Sequence, residues 1–447
     1  PVKMLGNDER RTKWTFLGQD PSLLQALWSN IISWLVSNIY PSQLYRLLPY
    51  CPQEALPSEV VSMTNRFAPT KCISIGRPGG LEQLRQVTLK QDIVTKGYNV
   101  VNGSPFLHIQ DLPSNCVLVE NHAFSVNYAD CCIRWGLYES AKQFVGWPIV
   151  PGFDIAGVIS DKFVSEMWKP GDRVMGCSLF GAYSSRIAIP SQQLRRIPDS
   201  MSMLEAASLP AVSLTALYAL HLAGQYPSAT TTRRKNQAIL IHSAAGGVGS
   251  MAIQMAKQLG LNPIVGVVGS THKVDTALQL GCHHVIDKSQ TSDMWVEARR
   301  FAPNLYSTIL DPNGVSTLQD SYNHLCPTGR LIIFGFHSNL PLGRDMLSPF
   351  QWLQMGIKMS RMPKFDPMDL VVSNKSILGF NLSFFADEVD LVGSLFDQIL
   401  DWWELGVLKC PQILEMSMDD IGKAHEWIMS GRSIGKIVIQ TESSVSE

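Results

Sequence analysis

The chain has 447 residues, 45% apolar and only 17% charged, with 37 Lys+Arg against 38 Asp+Glu for a net charge of −1. That length favours two or three domains, the apolar content excludes a mainly disordered chain, and the charge balance removes the electrostatic case for a nucleic-acid binder. Nine cysteines are scattered without a C-x-x-C pair, a usage that reads as reduced and intracellular and not as a disulfide scaffold.

Residues 1–66 stand apart from the rest of the chain. After Asp20-Pro21-Ser22, a helix start, no charge recurs before Arg46. Ser22, Gln25, Ser29, Ser33 and Ser37 form one narrow stripe of a helical wheel. Leu23, Leu24, Leu27, Trp28, Ile31, Ile32, Trp34, Leu35 and Ile39 fill the broad opposite side. The pattern predicts an N-terminal amphipathic helical extension, either docked on the folded body or lying at a membrane interface through residues 21–48. The polar stripe argues against a spanning helix, which needs ~20 residues apolar all round.

From Lys71 the pattern is strand-like. Lys71–Ile75 is followed by a turn at Arg77–Gly80 and then Leu81–Leu89, and the polar residues 90–110 read as an inserted loop. Val117–Val119, Asp154–Ile159 and Arg173–Met175 predict further short strands, with Lys169-Pro170-Gly171-Asp172 as a turn. Near Pro198 the texture changes. Residues 202–222 predict a helix opening at Ser202 with Glu205 three positions on, a capping box. Beyond a polar loop at 225–236, strands at Ala238–Ile241, Ile264–Val268, Val285–Ile286, Thr308–Leu310 and Leu331–Phe334 alternate with helical segments. This alternation predicts an α/β region with a doubly wound parallel sheet. A helix at about 387–404 and a strand at Ile434–Ile439 close the chain.

The sharpest local signal is Ala238–His242 running into Ser243-Ala244-Ala245-Gly246-Gly247-Val248-Gly249 and then an amphipathic helix. Glycines in that setting let the backbone approach a diphosphate where unpaired N–H groups and the helix dipole favour negative charge. About 20 residues on, an NAD site wants a carboxylate for the ribose hydroxyls. Here the second strand ends in Gly269-Ser270-Thr271-His272-Lys273, with no carboxylate before Asp275. Hydroxyls and a lysine suit a 2′-phosphate, so the expected cofactor is NADPH.

Several ordered motifs resemble the medium-chain dehydrogenase/reductase superfamily, within it the zinc-free quinone oxidoreductase branch. They are Asn127-Tyr128-Ala129-Asp130 with Arg134, Gly136 and Tyr138; Pro151–Gly157; Lys169–Val174; Ala206-Ala207 with Thr215-Ala216; Asp311-Pro312; and Gly329-Arg330. The resemblance implies a GroES-like β-rich catalytic domain from 67–200 plus 375–441, a Rossmann NADP-binding domain at 201–374, an active-site cleft between them and a homodimer. It implies cofactor contacts from Thr215, Ala245, Gly246, Gly247, Val248, Gly249, Ser270, Lys273, Phe334, Gly335, Phe380 and Asn381. It places Asn127 by the nicotinamide and makes Tyr138 the proton donor, although a Tyr satisfied by backbone and an Asn bracing a turn fit the same residues.

Where zinc-dependent relatives carry Gly-His-Glu, this chain reads Gly152-Phe153-Asp154, so no metal is expected. Arg134 reads as a surface or ion-pair residue, and His242 and His283-His284 as structural. The expected activity is NADPH-dependent, zinc-independent reduction of a small quinone or α,β-unsaturated carbonyl, in a cytoplasmic protein with peripheral membrane contact. Enoyl-thioester reduction in lipid or polyketide metabolism, and a non-catalytic NADPH-binding membrane-associated protein, stand as alternatives.

Overall fold

A computed structural model describes residues 69–90, 92–95, 106–108, 113–161, 166–225, 237–337, 349–384 and 388–441. The amphipathic extension at 1–66, and almost all of the loop at 225–236, lie outside the described residues.

The first body is β-rich. Strands β1 (Thr70–Ile75) and β2 (Leu84–Leu89) pair antiparallel. Beside them lies a sheet of β3 (Asp92–Thr95), β4 (Phe106–His108), β5 (Cys116–Val126), β6 (Asp154–Ile159), β7 (Arg173–Cys177), β8 (Arg186–Pro190) and β9 (Leu194–Arg196), in the order β4-β3-β8-β5-β6-β7-β9. The presence of β3 and β4 corrects the reading of 90–110 as a plain loop: a short hairpin there pairs with β8. β5 is buried along nearly its whole length, which its unbroken apolar stretches require of a strand covered on both faces.

The second body is a parallel sheet built from β10 (Ile239–His242), β11 (Ile264–Val268), β12 (His284–Asp287), β13 (Tyr306–Asp311), β14 (Leu325–Ile333) and β15 (Ser376–Gly379). Its order is β12-β11-β10-β13-β14-β15, every pair parallel. Strand order reverses between β10 and β13, the place where an open α/β sheet leaves a crevice beyond its strand ends. The last strands, β16 (Ile413–Ser417) and β17 (Lys436–Gln440), return to the first sheet, with β17 antiparallel to β5. Because β15 closes the parallel sheet, the chain comes back to the first body after Gly379 and not at 375.

Twelve α-helices connect these strands among the described residues: α1 (Tyr128–Arg134), α2 (Glu139–Phe144), α3 (Met203–Ser208), α4 (Pro210–Leu222), α5 (Gly247–Gln258), α6 (Val274–Leu280), α7 (Met294–Phe301), α8 (Leu318–Asn323), α9 (Pro349–Ser360), α10 (Pro367–Ser373), α11 (Val389–Glu404) and α12 (Ile421–Met429). The single helix expected over 202–222 is two. Its capping box is present, the Glu205 amide donating to Ser202 Oγ at 3.2 Å and the Ser202 amide to the Glu205 carboxylate at 2.9 Å. Pro210, lacking an N–H, begins a second helix instead of continuing the first. α3 packs on β5, β6 and β17, while α4 packs on α5 and α11, so this break carries the chain from one body to the other.

Candidate active site

The turn between β10 and α5 is shaped by backbone crowding. A Cβ on Gly249 would lie 2.4 Å from the Ser243 carbonyl oxygen and 2.7 Å from Ala244 Cα, so only glycine lets α5 seat on the strand. A Cβ on Gly247 would lie 2.8 Å from Val212 Cγ1 and 3.0 Å from Lys436 Cδ. No side chain caps α5, which leaves the first N–H groups of a twelve-residue helix available to an anion. The Gly435 amide donates to the Ala245 carbonyl at 2.9 Å and ties the turn to the lead-in of β17. These features fit the diphosphate of a dinucleotide.

A cleft of about 790 Å³ lies between the two bodies. Asn127, Tyr138, Thr215, Val248, Phe334, Gly335, Phe380 and Asn381 all line it. Ala245, Gly246, Gly247, Gly249, Ser270 and Lys273 sit outside its wall, on the turn and at the tip of β11. The lining is mostly apolar, including Phe153, Leu179, Trp352, Met355, Met359 and Phe396. Few polar groups converge there, so each carries weight.

Tyr138 precedes α2 and packs edge-on to Phe153 and Phe180, with ring centroids 6.0 and 6.4 Å away. Its hydroxyl donates to Asn381 Oδ1 at 3.1 Å and lies 3.2 Å from Ser383 Oγ. Burial pushes the phenol up to about 12. The partner of this Tyr is thus a side chain of the 381–383 turn and not backbone, and Asn381 is engaged with Tyr138.

Asn127 caps α1, its backbone N–H donating to the Asp130 carboxylate at 2.7 Å. Its side chain belongs to a buried polar cluster. The Asn127 amide Nδ2 donates to Asp154 Oδ2 at 2.8 Å, and Lys436 Nζ donates to Asn127 Oδ1 at 2.7 Å and to Asp154 Oδ2 at 3.4 Å. Ser125 Oγ and the Ala211 amide at the start of α4 also donate to Asp154. Burial pushes the Lys436 pKa down against the pull of Asp154. The sequence reading missed Asp154 and Lys436 as site residues; they come together from β6 and β17.

Tyr128 and His337 were missed as well. The Tyr128 hydroxyl faces the His337 carbonyl at 3.5 Å, both residues line the cleft, and burial pushes the His337 imidazole down to about 4.

Beyond β11, Ser270 Oγ lies 3.2 Å from His272 Nδ1, and Lys273 donates to the Gly431 carbonyl at 2.5 Å. Burial, with Lys288 beside it, holds the Lys273 pKa below the usual lysine value. Thr271 Oγ1 donates at 2.6 Å to Asp287, a carboxylate delivered by the neighbouring strand and invisible to a reading along β11 alone.

Arg134 corrects the expectation of a surface or ion-pair residue. It is fully buried, donates to the Gly79 carbonyl at 2.9 Å and to Met429 Sδ at 3.3 Å, and stacks over Trp135. A guanidinium needs only acceptors in fixed places, and the turn carbonyl supplies one without a carboxylate. His242 is buried against Ser321 Oγ at 3.2 Å, and His283 Nδ1 accepts from the Ile264 amide; both sit in the framework of the parallel sheet. Cys131 Sγ faces His425 Nδ1 at 3.4 Å in a buried pocket. Among the described residues no three His, Cys, Asp or Glu side chains come together as metal ligands.

Residues 113–199 match the alcohol dehydrogenase GroES-like domain family, and residues 247–396 the zinc-binding dehydrogenase family. The synaptic vesicle membrane protein VAT-1 homolog of Danio rerio is 29% identical over 340 residues, covering 75% of this chain and 66% of that protein. A 2-haloacrylate reductase from a Burkholderia species is 29% identical over 333 residues, 72% of this chain and 90% of the relative. The crystal structure of a Pseudomonas syringae quinone oxidoreductase superposes with a TM-score of 0.65 at 26% identity, over 83% of this chain and 99% of that one.

Proposed function

Because the chain belongs to the medium-chain dehydrogenase/reductase superfamily, we propose that it is an NADPH-dependent oxidoreductase delivering hydride to an apolar quinone or α,β-unsaturated carbonyl compound. The observation that carries this reading is one apolar cleft shared by Val248, at the uncapped start of α5, and Tyr138, with its hydroxyl tied to a side-chain pair. The quinone oxidoreductase and the 2-haloacrylate reductase among its relatives support the acceptor class: both names describe reduction of an electron-poor conjugated system.

The N–H groups opening α5 would hold the diphosphate, Ser270 and Lys273 the 2′-phosphate, and Thr215, Phe334, Gly335 and Phe380 the nicotinamide end. Bound NADPH supplies the hydride. A hydride taken up at the acceptor's β-carbon would form a C–H bond, break the C=C π bond and leave the electron pair on the carbonyl oxygen, where the polar side chains of the cleft would meet it. Tyr138 would then give its phenolic proton to the α-carbon of the enolate, and a proton from solvent would return to it through the Ser383 hydroxyl, 3.2 Å away. Asn127 spends one N–H on Asp154 and keeps the other for an oxygen in the cleft. Asp154 and Lys436 act as positioning residues by holding that amide at both ends. No metal is needed in this scheme, since side-chain donors stabilise the developing oxyanion.

Rapid mixing with NADPH and a panel of quinones, enals and enoyl-thioesters tests the reading through the nicotinamide absorbance. Oxidation above background is expected, and none for any class would overturn it. Preference for long enoyl-thioesters would favour the second reading, for which the size and apolar lining of the cleft speak.

Tyr138→Phe is expected to lower kcat by roughly 10²–10⁴-fold with NADPH affinity kept. Because burial raises the phenol to about 12, Tyr138 stays protonated, and wild-type kcat/KM should show no alkaline limb from it between about pH 6 and 10. An unchanged kcat in the variant removes Tyr138 from the reaction. Lys273→Glu puts an anion where the 2′-phosphate would lie and is expected to weaken NADPH about tenfold more than NADH; equal losses by titration would place Lys273 outside the pocket.

A homodimer fits the same reading. β15 ends the parallel sheet with an edge unpaired among the described residues, and Met368, Val371 and Val372 are exposed on α10, the helix that leads into it. Sedimentation of the full chain checks it.

A further inference from the structure

The cleft carries polar groups at two separate places, and the register of the first sheet sets how far apart they lie. Ser125 of β5 pairs with Asp154 of β6, Asp154 with Cys177 of β7, and Gly176 with Leu194 of β9. Gln193, one residue before Leu194, therefore stands level with Cys177, in the same row as Ser125 and three strands away. Neighbouring strands are about 4.8 Å apart, so the row runs roughly 14 Å from Ser125 to Gln193. Asn127 leaves β5 two residues beyond Ser125, and Asn127, Cys177 and Gln193 all line the cleft. α11 packs on the turn that holds Gln193 and covers this far end with Val389, Val392 and Phe396.

Most polar side chains on the wall are already engaged within the protein. Ser178 Oγ donates to the Phe180 carbonyl and Thr215 Oγ1 to the Ala211 carbonyl. At the far end Arg195 donates through Nε and Nη2 to the Asp397 carboxylate and through Nη1 to the Gln192 and Leu194 carbonyls. A Cβ on Gly393 would lie 2.6 Å from Arg195 Nη2, so glycine in the middle of α11 lets the guanidinium rest against the helix, its charge matched by Asp397. Gln193 differs. Its Oε1 is buried without a hydrogen-bond partner, alone among the buried side-chain nitrogens and oxygens of the described residues that line the cleft. A buried acceptor left unmet costs free energy that a donor placed there restores. We propose that Gln193 forms a second subsite and that the substrate is an elongated acceptor. Its conjugated carbonyl would lie at Asn127 and Tyr138, an apolar stretch would cross the floor at Cys177, and an uncharged donor at the other end, a hydroxyl or an amide N–H, would bond Gln193 Oε1. A simple quinone or short enal reaches one end only. A carboxylate tail gains nothing, because Asp397 already balances Arg195 and the Gln193 oxygen offers it only lone pairs. The chemistry at the near end rests on the oxidoreductase reading; the subsite itself does not.

Steady-state oxidation of NADPH by a homologous series of α,β-unsaturated aldehydes, ending in methyl, hydroxyl, carboxamide or carboxylate, tests it. For long members, wild-type kcat/KM is expected to favour a hydroxyl or carboxamide end over methyl by about tenfold, the better of the two identifying the donor. Short members should show no preference, and a carboxylate end no gain over methyl. Gln193→Leu should erase the preference, a ratio taken on one protein and so insensitive to partial misfolding. Gln193→Glu, which keeps an acceptor in place, should retain it. Calorimetric binding of a medium-chain alkanediol against the matching alkanol reads the subsite without turnover: the diol should bind about tenfold tighter to wild type and equally to Gln193→Leu. No NADPH oxidation with any aldehyde, together with tighter diol binding, would overturn the oxidoreductase reading and support the subsite. Oxidation of long aldehydes at rates independent of their end group would do the reverse. An unchanged preference in Gln193→Leu would also overturn the proposal.

Discussion

Lys436→Met is expected to lower the unfolding free energy by about 3 kcal/mol, the lower end of the range for breaking a buried ion pair. The ammonium is buried, 3.4 Å from Asp154 Oδ2 and 2.7 Å from Asn127 Oδ1. Without it, the Asp154 carboxylate stays in the interior with three neutral donors, Ser125 Oγ, Asn127 Nδ2 and the Ala211 amide. Those bonds soften the loss, which is why the lower end applies. They do not replace the opposite charge. Lys436→Met/Asp154→Asn removes both charges and should recover part of the difference. Urea unfolding of the three proteins is the measurement. A single-variant loss under about 1 kcal/mol would mean that the pair behaves as a solvated one.

Gly249→Val should abolish uptake of NADPH at concentrations that saturate the wild type. The new Cβ would stand 2.4 Å from the Ser243 carbonyl and 2.7 Å from the Ala244 carbonyl oxygen. Backbone on that side cannot swing away as a long side chain would, so α5 must lift from β10. Overpacking of this kind costs about 1–3 kcal/mol in stability, and it displaces the N–H groups that would hold the diphosphate. Gly246→Ala offers the contrast, since its Cβ would meet only the Ser243 carbonyl oxygen, at 3.3 Å. Ligand-dependent melting of both variants separates the two positions: a thermal shift for Gly246→Ala and none for Gly249→Val. A full shift for Gly249→Val would show that the turn does not grip the coenzyme.

What the sequence made legible is what lies close together along it. The cofactor turn occupies one run from Ala238 to Leu259, where strand, glycines and helix come in succession, and the parallel order of β10 to β15 is a consequence of that alternation. The polar cluster did not show because its members come from β5, β6, the cap of α1 and the start of β17. Lys436, in Gly435-Lys436-Ile437, looks like any strand-opening lysine until β17 pairs with β5. Asp287 is hidden from the sequence for the same reason: the carboxylate arrives not from β11 but from β12, in register with Val268. Arg134 misled because charge was read as exposure, and a buried turn carbonyl can hold a guanidinium. Pro210 was a legible break, overridden by a helical apolar pattern that continues across it.

The measurement that bears most directly on the central claim is calorimetric titration of the protein with NADPH, repeated with NADH and with Gly249→Val. Saturable uptake of about one NADPH per chain, weaker uptake of NADH and no heat from the variant are expected. Absence of NADPH uptake by the wild type, or equal uptake by Gly249→Val, would contradict it.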